Sequence, residues 1–161
     1  MNIFKTKVLA AAGISKTNPN PVEAAAKSRD NIFKMTQIAE DAVLQPKNCG
    51  SFSHELRGWL AARIARQADE PQLALQYIMS VKLTNNFHPS NHEAGIDLNT
   101  LVNFVDKAAN NTRDIESSDI SKLQKKGMTD SDIVRLCQIL AFVAYQVRIT
   151  KGLRLMNRES S

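Results

Sequence analysis

Residues 129–156 constrain this chain more than any other stretch. Thr129 can cap a helix with its hydroxyl, Asp132 falls close to the positive end of the helix dipole, and no proline interrupts the remaining residues of the stretch. Leu136, Ile139, Leu140, Val143 and Val147 fall on one helical face, while Phe142, Tyr145 and Ile149 carry the apolar surface round toward the other side. A helix of that kind must be covered twice. Packing against a second copy of the chain is the expectation, because large exposed apolar patches commonly mark interfaces.

The rest of the chain reads as helical too. A helix over 21–44 opens on Pro21, carries Ile32, Met35, Ile38, Ala39 and Val43 at helical spacing, and stops at Pro46 and Gly50. The next begins at Ser53, a good N-cap, and runs to about Ala68 with Leu56, Leu60, Ile64 and Ala65 on one face. For the third, Asp69 is the expected cap, Gln72 the reciprocal capping-box residue, and Pro71 sits in the first turn, where its missing N–H does no harm. Residues 84–96 form a long polar loop, a helix near 97–110 buries Leu98, Leu101, Val102 and Val105, and a short one near 118–126 ends on Gly127. No stretch alternates with period two over enough residues to suggest a strand. The reading is an all-α fold of about six helices, a single domain over 21–157 with a tail at 158–161. Residues 1–20 read as an arm: Lys5 and Lys7 before Val8, Leu9 and Ala10 imitate a short secretory leader, but a turn-rich polar stretch comes next.

Composition removes several function classes. With 161 residues, 43% hydrophobic and 23% charged, the chain is neither disordered nor low-complexity and is long enough for one substantial core. No apolar run approaches the ~20 residues that cross a bilayer, so no membrane role is expected. Cys49 and Cys137, far apart in the chain, make no disulfide framework and suit a reducing cytoplasm. The net charge of +5 is spread along the chain, and its one local excess, Arg148, Lys151, Arg154 and Arg158, recurs at helical steps with few aromatics for base stacking. A solubilised helix end near the negative pole of the dipole explains it without nucleic acid.

The chemical candidates are few. His88 and His92 have zinc-like spacing with Glu93 adjacent, but Pro89 between them opposes the helix that spacing needs. His54 and Glu55 open the second helix as a possible acid/base pair, although Glu55 also suits the helix dipole there. Asp69 and Glu70 are adjacent carboxylates that capping accounts for. Arg57, Arg63 and Arg66 could orient an anion or form an exposed charged face. Cys137, inside an apolar helix, reads as buried and inert, and Cys49 beside Gly50 as the more exposed thiol. The glycines make no phosphate cradle.

Two stretches resemble a known family. Residues 129–148, Thr129 through Leu136, Gln138, Phe142 and Tyr145 to Arg148, resemble the closing helix of carboxymuconolactone decarboxylase-like proteins, the all-helical group that includes the alkylhydroperoxidase D-like disulfide reductases. Leu56, Arg57, Gly58, Trp59, Leu60, Ala61, Ala62, Arg63, Ile64 and Ala65, followed by the helix start from Asp69 to Tyr77, are similar to that family's central helical pair. The similarity covers residues 53–83 and 97–155. It implies an AhpD-like multi-helix orthogonal bundle that associates through its helices into homotrimers or homohexamers. In redox-active members it implies a Cys-x-x-Cys pair followed by a His at the start of the third helix, with an upstream Glu. Here residues 67–77 hold neither cysteine nor histidine, so none of those redox residues carries over. Three functions stay open: action on, or binding of, a small organic acid or lactone with His54, Arg57 or Tyr77 near the pocket; an alkylhydroperoxidase-like antioxidant; and a non-catalytic oligomeric binding module. No cofactor and no metal is expected.

Overall fold

The structure, a computed structural model, describes residues 2–15, 21–81 and 88–159. Among the described residues eight α-helices make it all-α: α1 (Lys7–Ala11), α2 (Pro21–Ser28), α3 (Asp30–Leu44), α4 (His54–Gln67), α5 (Pro71–Ser80), α6 (Leu98–Asn110), α7 (Ser117–Lys125) and α8 (Asp130–Glu159). The larger number than six has two sources. The helix read over 21–44 breaks at Arg29, where Ser28 Oγ donates to Ala25 O at 2.7 Å and competes with the backbone ladder. The second source is α1 itself. In the loop after α5, strand β1 (His92–Glu93) pairs antiparallel with β2 (Ile96–Asp97), contrary to the strandless reading. Its two-residue turn takes Ala94 to φ 54° and Gly95 to φ 81°, the successive positive angles that a tight hairpin needs. Residues 84–87 of the expected loop lie outside the described residues.

Several caps agree with the sequence signals. Ser53 accepts from Leu56 N at 3.1 Å, Thr129 Oγ1 from Asp132 N at 3.2 Å, and Gly127 ends α7 at φ 104°. Asp69 does something else. It sits at φ 57° with its N–H on Arg66 O, and the Glu70 N–H reaches back to Ala65 O, so Asp69 closes α4 in a Schellman turn rather than capping α5. Glu70 takes the cap position of α5 with no side-chain capping bond.

α8 is the central helix. Its face of Leu136, Ile139, Leu140, Val143 and Val147 is buried in the main core with α4, α5 and α6. A second cluster, Ile3, Val8, Leu9, Ala12, Ile14, Val22, Ala26 and Phe33, closes over Ile149 and Leu153 on its other side. On the second apolar side of α8 the chain's own N-terminal elements thus cover Ile149, while Phe142 is half-buried and Tyr145 stays exposed. The arm reading of residues 1–20 is corrected over the described residues 2–15: Val8 and Leu9 are fully buried because α1 packs on α5 and α8. By length and composition α8 would also pass as a bilayer-crossing segment, which corrects the expectation that no segment approaches that limit. Its buried side, however, carries Gln146 and Thr150.

Candidate functional site

The three residues expected near one pocket are not brought together. Two of them hold the loop between α3 and α4. Arg57 is buried on the first turn of α4 and donates through Nη1 to Val43 O at 2.7 Å, Nη2 to Cys49 O at 2.8 Å and Nε to Phe52 O at 3.0 Å. Burial pulls its pKa below the usual arginine value. His54 is half-buried and donates Nε2 to Pro46 O at 3.0 Å, and Glu55 beside it is exposed. Asp132 closes the same loop from α8: Ser51 N and Oγ donate to it at 3.2 and 2.6 Å, and Arg135 at 2.9 Å. Burial raises the Asp132 pKa, but the bonds from Ser51, Thr129 and Arg135 outweigh it and leave the carboxyl below the ordinary range. At Gly50 (φ 58°) an added Cβ would lie 2.7 Å from Asp132 Oδ1. This cluster is a loop clamp in which Arg57 and His54 donate to backbone carbonyls and Ser51 and Arg135 to the Asp132 carboxylate. The anion-binding reading of Arg57 is corrected on that ground.

Tyr77 belongs to a separate buried network. Its hydroxyl donates to Gln146 Oε1, Gln146 Nε2 donates to Glu40 Oε2 at 2.7 Å, and Lys7 pairs with Glu40 Oε1. Burial, followed by the Glu40 charge, pushes the Tyr77 pKa well above its usual value, so the phenol stays a hydrogen-bond donor at neutral pH. One turn on, the buried Thr150 hydroxyl has no partner among the described residues. One further turn on, Arg154 donates to both oxygens of the fully buried Glu70 at 2.8 and 2.6 Å, and to Ala11 O at 3.0 Å. Glu40 and Gln146 were missed by the sequence reading, and Arg154 was read as part of a solubilised helix end rather than as the partner of Glu70. The one sequence signal was a polar residue inside an apolar stripe, clearest for Gln146 beside Val143 and Val147.

The third helix of the sequence reading begins at this second ion pair. Glu70 and Leu73 are both fully buried, and an added methyl at Gly58 would overlap Val81, so the α4–α5 contact is closed there. Open space lies elsewhere. A cleft of about 540 Å³ runs between α6, α7 and α8, walled by Phe104, Ala109, Ile120 and Ala144, with Cys137 and Arg148 also lining it. Cys137 is exposed and Cys49 only half-buried, which reverses the expected order of the two thiols; partial burial still pushes the Cys137 pKa up. A smaller apolar cleft of about 250 Å³ lies between α2, α3 and α8.

The remaining candidates scatter. Arg63 makes a bidentate pair with Asp106 at 2.8 and 2.6 Å, while Arg66 is exposed at the end of α4. Of the C-terminal cations, Arg148 lines the α6–α8 cleft and Arg154 reaches Glu70. His88 and His92 are both exposed, and no group of three metal-ligating side chains forms among the described residues. No family model, no curated protein and no solved structure matches the chain.

Proposed function

We propose that this chain is a carboxymuconolactone decarboxylase-like protein that has no thiol redox centre and binds a small organic acid or lactone. One observation carries the reading. The start of α5, where redox-active members of the resembled family hold their cysteine pair, is filled here by Leu73 and by Glu70, whose carboxylate is consumed by Arg154. A helix N-terminus that would lower a thiol pKa has no thiol to act on. The α6–α8 cleft supports the binding half: it is mostly apolar, of small-molecule size, and has one cation at its edge.

A second reading adds a partner, namely itself. Ile32, Met35 and Ile38 are exposed at helical spacing along α3, and a stripe of that kind favours self-association. The trimer or hexamer number rests on the resemblance alone. Calorimetric titration with a panel of short carboxylic acids and their lactones tests the binding reading. Saturable binding of at least one is expected, and no heat from any of them would overturn it.

A further inference from the structure

We propose that the α6–α7–α8 cleft takes an elongated monocarboxylate, its carboxylate on Arg148 and its chain laid along Ala144 and Ala141 toward Cys137; this rests on the small-acid reading above. On α8, Cys137, Ala141, Ala144 and Arg148 succeed one another turn by turn on the side lining the cleft. Thiol and guanidinium therefore mark its ends, about 16 Å apart along the helix at 1.5 Å per residue. Between them α8 contributes Ala141 and Ala144 beside Leu140, and the α6 wall includes Ala108 and Ala109, so the groove stays open at the alanines, where larger side chains would fill it.

The charge pattern selects the ligand. Arg148 is exposed and has no ion-pair partner among the described residues, and no carboxylate lines the cleft. On α6, Asp106 is taken up by both of its bonds from Arg63, and Asp114 and Glu116 flank the lining Ile115 without lining the cleft themselves. Among the lining residues Arg148 is the one charged side chain, and it matches a single anionic group, as guanidinium pairs well with carboxylate. On the α8 side the far end carries the Cys137 thiol, held neutral by partial burial, and a second charge there would meet mostly apolar lining.

Titration of the full chain with hexanoate, octanoate and decanoate below their micellar concentrations, and with decanol, tests this. Affinity is expected to rise about fourfold per buried methylene. Arg148→Gln should weaken decanoate at least about tenfold while leaving decanol unchanged. Ala144→Trp should abolish both, and Ala141→Leu, at an exposed position the fold tolerates, should weaken decanoate more than hexanoate. In a Cys49→Ser background decanoate should slow maleimide labelling of Cys137. Affinity independent of chain length, or decanoate binding untouched by Arg148→Gln, overturns the proposal. So does a ligand-free protein whose Cys137 resists maleimide while light scattering gives a multiple of the chain mass, since a second copy then covers the cleft. Short acids or lactones that still bind Ala144→Trp remove this site and leave the proposed function standing; no binding by any acid or lactone removes both.

Discussion

Arg57 is a buried cation whose named hydrogen-bond partners are three backbone carbonyls. Replacing it removes all three bonds; the Cys49 carbonyl keeps the Phe52 N–H at 3.3 Å, and each acceptor left without a partner costs about 1–3 kcal/mol when nothing relaxes. Arg57→Met is therefore expected to destabilise the fold by about 3 kcal/mol or more, and Arg57→Lys to recover little, because an ammonium cannot present the guanidinium fork. Urea denaturation measures both; a loss within experimental error for Arg57→Met would contradict the clamp. Asp132 gives the same loop a pH dependence. Its folded-state pKa lies below the unfolded value, so its contribution is present above about pH 4 and is lost as the pH falls through the folded pKa. Asp132→Asn should be less stable at neutral pH, and the gap to wild type should narrow in acid; a constant gap would contradict the linkage. Arg57 was legible as a helix cation but not as a clamp. On α4 it shares a side with Ala61, Ile64 and Ala65, all buried, and a charge in such a stripe signals burial without naming its partners. Those partners are carbonyls of a loop whose course periodicity does not give.

At the scale of elements, helix starts written in a single side chain were readable and features set by packing were not. Ser53, Thr129 and Gly127 act where their chemistry places them. Asp69 carries the same capping chemistry, yet Pro71 comes so soon after it that the residue is taken up in ending α4. α1 reads as an arm in the sequence because five residues make no stable helix alone; it exists because Leu9 and Val8 are buried by tertiary contact. Leu9→Ala is expected to lower global stability by about 2–5 kcal/mol. An unchanged denaturation midpoint would restore the arm. Gly58→Ala tests the α4–α5 contact, where the added methyl meets Val81. A loss of about 1–3 kcal/mol is expected from such overpacking, recovered in part by pairing it with Val81→Ala, and additive effects would show that the two residues do not touch.

For the whole molecule, the all-α class was legible because every long segment repeats at helical period. The assignment of α8's second face was not: the sequence shows that Ile149 needs cover, and only the fold shows that Ile3 to Ile14 and Val22 to Phe33 help supply it. Apolar surface is still exposed at Leu75, Met79, Val134, Leu155 and Met156, and also at Ile32, Met35 and Ile38 on α3 beside Tyr145. If these mediate self-association, Ile38→Asp should shift the light-scattering mass toward one chain while leaving the melting cooperative, and a wild-type mass near 17.9 kDa would withdraw the oligomer. The exposed His88 and His92 predict that dialysis against chelator leaves the melting temperature unchanged. The central claim is that the α5 start carries no thiol chemistry, and hydroperoxide reduction driven by a dithiol tests it most directly. No turnover above buffer is predicted for the wild-type chain, with Cys49→Ser and Cys137→Ser indistinguishable from it. Sustained turnover abolished by either substitution would contradict the account.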